Sequence, residues 1–111
     1  MKLMTKEILN KIPAPNNTDQ TPLEERICYV RFFHCLSNWT WFATEFDPAT
    51  GIFFGWVDGD FPEWGTFSLE EMESINIRGL GSCLSMAVIE RDKFFTPKPM
   101  KDITEYKVRG L

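Results

Sequence analysis

The sequence predicts an α+β fold, an antiparallel β-meander of about four to five strands with an N-terminal helix and a short helix after the meander. Three patterns support this fold class. Segments rich in β-branched and aromatic residues recur at 27–33, 40–46 and 52–58, as is typical of β-strands. A turn sequence at 47–51 joins the second of these segments to the third. Apolar residues at helical spacing precede the first segment.

The N-terminal helix is predicted to begin after Thr5, whose hydroxyl can accept a hydrogen bond from an amide of the first turn. The apolar residues that follow helical spacing are Met4, Ile8, Leu9 and Ile12. Pro13 ends this run because proline cannot continue a helix. Turn-forming residues fill 13–22, so this segment is predicted to be a linker that lies on the surface.

The sequence Asp-Pro-Ala-Thr-Gly at Asp47–Gly51 is the strongest local signal in the chain. Aspartate can accept bonds from turn amides, proline fixes φ for a type I turn, and glycine accepts the positive φ that closes it. A β-hairpin therefore joins Thr40–Phe46 to Ile52–Asp58. After a second turn, a short strand at Trp64–Phe67 completes a meander that is expected to run continuously over residues 27–67.

The second half of the chain is predicted to hold a helix, a strand and a basic tail. The capping-box sequence at Ser68–Glu71 starts a short helix over Leu69–Ser74. The apolar run 84–90 returns to the sheet as a strand, and prolines keep 94–99 extended. The tail follows, with a helix that starts at Ile103.

Strand alternation predicts which residues share a face of the sheet. Along the first strand of the hairpin, one face carries Trp39, Trp41, Ala43 and Glu45. The opposite face carries Thr40, Phe42, Thr44 and Phe46. Neither set is wholly polar, so helices and proline-rich segments must partly cover both faces, or else one aromatic face is a binding surface.

Length and composition place the chain among compact globular domains. Its 111 residues, 43% of them apolar and 14% aromatic, suffice for one core, so residues 1–111 are predicted to form a single domain. No apolar run approaches the roughly 18 residues of a membrane span, and the charged N-terminus does not fit a secretory signal. Three cysteines, an odd number, fit reduced thiols. We therefore expect a cytoplasmic protein with no membrane partner.

Charge is divided unevenly along the chain. Residues 1–31 sum to +1 and residues 78–111 to +3, whereas the segment from Phe32 to Ile77 holds no lysine or arginine and sums to −8. Its eight acids are Glu45, Asp47, Asp58, Asp60, Glu63, Glu70, Glu71 and Glu73. Such a segment repels phosphate backbones and attracts basic surfaces, so we expect a basic protein partner and no direct binding of nucleic acid. The alternative is that the two basic ends pair with the acidic middle in the fold.

The chain shows no convincing pattern of catalytic or metal-ligating residues. His34 and Cys35 are adjacent, so on a strand they point to opposite faces and cannot form a nucleophile pair. The chain has one histidine and no Cys-x-x-Cys pair, which disfavours structural zinc. The acids of 58–63 could supply oxygen ligands, but their spacing is not that of a calcium loop. We therefore predict no catalytic residue, no metal and no cofactor.

Several stretches of the chain resemble a known family. They are Leu3–Leu9 with Lys11–Pro13, Ser37–Glu45, Phe53–Gly59, Gly65–Glu71, and Ile89–Asp92 with Phe94 and Pro97–Pro99. Together they resemble the domain of unknown function 2958 family over about residues 3–99, which leaves the basic tail 100–111 outside. Members of that family look like small stand-alone proteins of bacteria, plasmids and phages, sometimes neighbours of modules that mobile elements use against host defences. The resemblance therefore implies a mobile-element accessory protein without saying which one. It carries over no catalytic residue.

Two hypotheses from different classes follow. In the first, the chain is a non-enzymatic protein-interaction module that binds a basic partner through an acidic, Trp-rich face, with an anti-restriction or anti-defence role. The partner-binding residues are then Asp58, Asp60, Glu63, Trp64, Glu70, Glu71 and Glu73, with Trp64 as a partly exposed anchor. In the second, it is a small-ligand binder or hydrolase-like enzyme. The cleft is then formed by Trp39, Trp41, Glu45, Asp58 and Arg91.

Overall fold

A computed structural model describes residues 2–79 and 89–110 of the chain. Within these ranges the α-helices are α1 (Lys6–Lys11), α2 (Leu69–Gly79) and α3 (Thr104–Arg109). The strands are β1 (Ile27–Cys28), β2 (Val30–His34), β3 (Thr40–Asp47), β4 (Ile52–Asp58), β5 (Glu63–Ser68), β6 (Ile89–Arg91) and β7 (Lys98–Pro99). Short 3₁₀ helices lie at Leu23–Glu25 and Met100–Asp102. The predicted α+β class is confirmed.

Five antiparallel strands form the main sheet, in the order β5-β4-β3-β2-β6. Strands β2 to β5 follow one another along the chain and each pairs with the next, which confirms the predicted meander over residues 30–68. Strand β6 lies beside β2, with Arg91 opposite Phe32. Strands β5 and β6 therefore form the two edges of the sheet among the described residues.

The meander starts later than predicted because β1 belongs to a second sheet. Strand β1 pairs with β7 in a separate two-stranded antiparallel sheet. The amide of Met100, just after β7, donates to the carbonyl of Arg26, just before β1, at 2.9 Å. The extended proline-rich segment thus supplies the partner of β1. The continuous meander, predicted from residue 27, begins at residue 30.

The turn between β3 and β4 has the predicted geometry. Gly51 has a φ of +73°, which confirms the positive φ expected there. Its amide donates to the carbonyl of Asp47 at 2.8 Å, and the Asp47 carboxylate accepts from the amide of Ala49 at 2.9 Å. Local turn chemistry therefore supports the hairpin register, in which Asp47 lies opposite Ile52.

A β-bulge changes which face the end of β3 presents. The register pairs Ala43 with Gly55 but Glu45 with Phe54, so Thr44 is an extra residue without a partner in β4. The extra residue reverses the alternation for the rest of the strand. The predicted face is correct up to Ala43, but Glu45 lies on the face opposite to the predicted one.

Hydroxyl side chains begin two helices as the sequence predicts. The hydroxyl of Thr5 accepts from the amide of Ile8 at 3.2 Å at the start of α1. The hydroxyl of Ser68 accepts from the amide of Glu71 at 3.1 Å at the start of α2. Each bond satisfies an amide that has no partner inside the first turn of its helix.

Helix α2 is longer than predicted, since it continues to Gly79. An asparagine inside a helix costs only about 0.5 kcal/mol, which the packing of Met72 into the core can offset. Helix α3 begins at Thr104, next to the predicted start at Ile103. The predicted strand 84–90 lies outside the described residues except for its last two positions, which belong to β6. None of the described helices is long and apolar enough to cross a membrane.

Both faces of the main sheet are covered, as their apolar composition requires. Helices α1 and α2 cover one face, which we call the α1 face; the buried residues of this layer are Leu3, Ile12, Val30, Phe32, Ala43, Phe46, Phe53, Met72 and Ile89. The segment from residue 95 to residue 106 covers the other, which we call the tail face; its buried residues are Cys28, Phe42, Trp56, Met100, Ile103 and Tyr106. The sheet therefore lies between two apolar layers.

We expect Gly51→Ala to destabilise the fold by about 1 kcal/mol, because alanine is strained at positive φ. No atom lies within 4 Å of a Cβ built at Gly51, so the loss reports backbone strain rather than a clash. Gly65→Ala is the matched control, since Gly65 also leaves open space but has no positive φ. Urea unfolding measures both changes. Equal midpoints for the two variants would contradict the turn geometry.

Candidate functional site

The eight acids of the basic-free segment fall into three groups. Glu45 and Asp58 are buried, with 4% and 6% exposure, and each lies beside an arginine. Asp47 belongs to the hairpin turn. Five acids are exposed and form no ion pair with any residue that the structure describes; these are Asp60, Glu63, Glu70, Glu71 and Glu73, which we call the acidic edge. Within the described ranges, the basic ends of the chain thus neutralise only two of the eight.

Glu45 is a buried carboxylate held by a segment from outside the sheet. Its Oε2 lies 3.8 Å from Nη1 of Arg26 and accepts a hydrogen bond from the hydroxyl of Thr18. Arg26 also donates from Nε to the carbonyl of Thr21 at 3.1 Å, and its guanidinium lies 5.7 Å from the ring centre of Phe54. Partners of this kind are what a buried charge needs in order not to cost stability. The β-bulge brings Glu45 within reach of Arg26 and Thr18, because it turns the Glu45 side chain to the tail face.

Asp58 is the second buried acid, at the end of β4. Its Oδ1 lies 3.1 Å from Nη1 of Arg109, but the geometry of this ion pair is not that of a hydrogen bond. Burial raises the pKa of Asp58 above its ordinary value, the charge of Arg109 opposes this rise, and the charge of Glu105 adds to it. The sequence predicts Asp58 as an exposed acid of the partner surface. Its position beneath Arg109 corrects that prediction, because the alternation of β4 turns it to the tail face, opposite Thr40.

The acidic edge lies at the two ends of strand β5. Asp60 lies in the turn before β5 and Glu63 is its first residue, while the three acids of α2 follow its last residue closely. The six residues of β5 span roughly 17 Å. Among the described residues β5 pairs only with β4, so its other side is a sheet edge. The fold therefore brings the predicted exposed acids to one edge strand.

Trp64 is half-buried and held by neighbouring rings. It stacks on Phe54 with ring centres 5.8 Å apart and meets Tyr106 edge-on at 5.9 Å. Phe61, three residues earlier in the chain, is more exposed than Trp64, with 84% of its surface accessible. Sequence reasoning missed Phe61. Its position between an Asp-Gly-Asp turn and a proline is the signal, because a ring in such a turn points away from the strands that could bury it.

Trp39 stands beside the same turn. A Cβ built at Gly59 would come within 2.6 Å of its ring, so Trp39 packs directly on this glycine. The ring centre of Trp39 lies 6.0 Å from that of Trp41. Trp39 is 38% exposed and lines an open cavity of about 450 Å³ together with Asp60 and Arg109. This end of the sheet therefore places a partly exposed indole next to the acidic edge.

The alternative cleft does not form as a single pocket. Trp41 and Arg91 both lie opposite Phe32, which belongs to the core of the α1 face. Glu45 and Asp58 lie on the tail face. The thickness of the sheet separates these two pairs, because successive side chains along a strand point to opposite faces. The residues named for this cleft are therefore not brought together around one substrate.

Arg91 instead lines a different cavity, of about 280 Å³, between α1 and the segment after β6. Its Nε donates to the carbonyl of Lys2 at 3.2 Å. The cavity is lined by two lysines, Lys11 and Lys93, and by two acids, Glu7 and Asp92. Nζ of Lys11 lies 3.2 Å from Oε1 of Glu7. This arrangement has no buried carboxylate among its lining residues and gives no support to hydrolytic chemistry.

The two cysteines that the structure describes are not placed as nucleophiles. Cys28 is buried and donates to the carbonyl of Val30 at 3.4 Å, and burial raises its pKa strongly. Cys35 donates to Oε2 of Glu90 at 2.7 Å; local desolvation and then this bond raise the pKa of its thiol to about 11. Thiols are the unreactive form near neutral pH. Cys83 lies outside the described residues, and within them no three His, Cys, Asp or Glu side chains are placed to hold a metal ion.

Comparison with known proteins identifies the family to which this chain belongs. The family described as "Protein of unknown function (DUF2958)" matches residues 3–108. Because this match covers nearly the whole chain, the chain belongs to that family. The match extends past residue 99, the end of the predicted resemblance, and includes most of α3. No curated protein and no solved structure matches the chain.

We expect Glu45→Gln to destabilise the fold by about 3–5 kcal/mol, because it leaves the Arg26 charge without its buried partner. The side chain of Arg26 is only 10% exposed, so water cannot replace the carboxylate. Glu7→Gln is the matched control, since it breaks the exposed pair of Glu7 with Lys11 and should change stability little. Chemical unfolding measures both. A loss from Glu45→Gln no larger than the loss from Glu7→Gln would contradict a structural role for the buried pair.

The raised pKa of Asp58 predicts a pH dependence of stability. The folded state holds this proton more tightly than the unfolded state, so the contribution of Asp58 to stability is greatest at acidic pH and is lost as pH rises through its folded-state pKa. We therefore expect Asp58→Asn to gain stability relative to wild type as pH rises above the ordinary carboxyl pKa. Asp60→Asn makes the same change on an exposed side chain and is the control. Thermal unfolding across a pH series checks this. A relative stability of Asp58→Asn that falls with rising pH would refute it.

Proposed function

We propose that this chain is a non-enzymatic protein-interaction module that binds a basic partner through the acidic edge. One observation carries the proposal. The five carboxylates of the acidic edge are exposed, form no ion pair with any described residue, and lie at both ends of the edge strand β5. Uncompensated charges of one sign create a local potential that attracts a surface of the opposite sign. A basic protein surface supplies that charge.

Three arginines that form ion pairs within the described part of the fold support this proposal, because each of them binds an acid outside the acidic edge. Arg26 and Arg109 lie against the two buried carboxylates. Arg31 bridges Asp92 and Glu105, each at 3.3 Å, and thereby ties the end of β6 to α3. None of these three guanidinium groups neutralises the acidic edge. Its negative charge therefore remains open to a partner.

Exposed aromatic side chains next to the acidic edge supply the apolar part of the proposed interface. Protein interfaces commonly combine an aromatic centre with a charged rim, and the buried aromatic residues give most of the affinity. Phe61 adjoins Asp60 and is almost fully exposed, and Trp39 is partly exposed beside the same turn. In this proposal Phe61 takes the anchor role that the sequence predicted for Trp64.

The biological setting of the proposal is supported by sequence resemblance alone. That resemblance suggests an accessory protein of a mobile element, acting inside the cell against restriction or another host defence. The same negative surface disfavours direct binding to nucleic acid, because it repels phosphate groups. Affinity capture from the native host identifies the basic partner that the proposal requires.

Charge reversal at the acidic edge tests the proposal. With the captured partner, we expect the triple variant Asp60→Lys, Glu63→Lys, Glu70→Lys to associate on the order of tenfold more slowly at low salt. The salt dependence of its association rate should also flatten, because charges at the rim of an interface act mainly on encounter. Stopped-flow fluorescence across a salt series measures both quantities.

A second triple variant provides the matched control. Asp19→Lys, Glu24→Lys and Asp102→Lys change the net charge equally, at exposed acids outside the acidic edge. This variant should keep most of the wild-type association rate. Equal slowing by the two triple variants would show that net charge alone matters, and would contradict the proposed surface. So would a captured partner without an excess of lysine and arginine at its binding surface.

A further inference from the structure

Strand β5 carries one row of backbone groups that no described residue uses. The amide of Leu69 donates to the carbonyl of Gly51 at 3.0 Å, so the facing residues Ser68 and Ile52 do not bond to each other. The register with β4 then continues without a shift along the whole strand, and the bonding alternates from residue to residue. The N–H and C=O groups of Trp64 and Thr66 therefore point outward from the sheet edge; the N–H of Ser68 does so as well, but its C=O accepts the first hydrogen bond of α2.

This edge lacks the features that usually prevent strand addition. Natural edge strands are often protected by lysine, proline, a bulge or a covering segment. Strand β5 contains no lysine or proline, and it pairs with β4 without a bulge. Thr66 is exposed, and nothing lies within 4 Å of a Cβ built at Gly65. Within the part of the chain that the structure describes, the middle of this edge is therefore open.

Charge selects the occupant of this edge. Glu63 begins β5, and Glu70 and Glu71 closely follow its end, so carboxylates flank the strand on both sides. If a second copy of the chain added its own β5, like charges would meet in either direction: Glu63 beside Glu63 in a parallel pair, and Glu63 near Glu70 in an antiparallel pair. Like charges facing each other across strands are destabilising. A segment with lysine or arginine at its ends would place opposite charges at the same positions.

We propose that β5 binds an extended segment of the basic partner as an added strand. The outward N–H and C=O groups of Trp64 and Thr66 bond to the backbone of the segment, and its basic side chains contact the acidic edge. In strand addition, the backbone bonds give affinity and the side chains give specificity. This inference rests on the proposed function and adds the mode by which the partner is held.

A designed peptide tests the inference by calorimetry. It alternates valine with threonine and carries lysines at both ends; the same peptide with glutamates at both ends is its charge control. We expect the wild-type chain to bind only the lysine-ended peptide. Thr66→Pro should weaken this binding about tenfold or more, because it removes an outward N–H and places a ring at the edge. Thr66→Ala keeps the N–H and should bind like wild type.

Proline at an outward position removes no bond to β4, so Thr66→Pro is expected to fold, and circular dichroism checks this. A modified peptide gives the same test without changing the protein. N-methylation of the peptide amides that face β5 should abolish binding. N-methylation of the amides on the opposite side should leave binding unchanged. These two peptides decide the question with wild-type protein if Thr66→Pro fails to fold.

Three results would overturn strand addition: equal affinities of folded Thr66→Pro and Thr66→Ala, equal binding of the two methylated peptides, or no binding of the lysine-ended peptide by wild type. The charge-reversal experiment then separates this failure from failure of the proposed function. If reversal at the acidic edge still slows association with the captured partner, the surface is correct and only the binding mode is wrong. If reversal has no effect, the proposed function fails as well.

Discussion

A buried ion pair between Arg26 and Glu45 fixes how the segments outside the sheet lie on it. In a poorly solvated site each charge is costly when its partner is absent, and further hydrogen bonds reduce the cost of burying the pair. The hydroxyl of Thr18 donates a hydrogen bond to the carboxylate of Glu45, and the carbonyl of Thr21 accepts one from Nε of Arg26. The carbonyl of Arg26 in turn accepts from Met100 at the start of the tail. One residue thus joins the linker, the sheet and the C-terminal layer.

Within the described ranges, the arginines that form ion pairs bind acids other than those of the acidic edge, which is why the acidic edge keeps its negative charge. The arginines that pair with carboxylates bind acids at element ends or in the interior, namely Glu45, Asp58, Asp92 and Glu105. These contacts hold the linker, β4, β6 and α3 together and do not reach the acidic edge. The exposed acids around β5 form no ion pair with any described residue, and two of them, Glu70 and Glu71, lie in the first turn of α2, where their charge favours the helix dipole. In the proposed function, the charge of the acidic edge also attracts the basic partner.

Local signals predicted local structure well, and features that depend on three-dimensional pairing were not predictable. The Asp47–Gly51 turn and the cap at Ser68 follow from side-chain chemistry within a few residues. The bulge at Thr44 has no such signature, yet one extra residue moved Glu45 to the other face and into contact with Arg26. Exposed acids at β5 were predicted from charge alone. The burial of Asp58 depends on α3, which packs from the far end of the chain.

Amide hydrogen exchange along β5, measured by NMR with and without the lysine-ended peptide, tests the central claim most directly. In the free protein, the outward amides of Trp64 and Thr66 should exchange quickly, while the amides of Gly65 and Phe67, which bond to β4, should exchange slowly. Saturation with the peptide should protect Trp64 and Thr66 and leave the other two as they were. Peptide binding without any protection of Trp64 and Thr66 would contradict recognition by the edge strand.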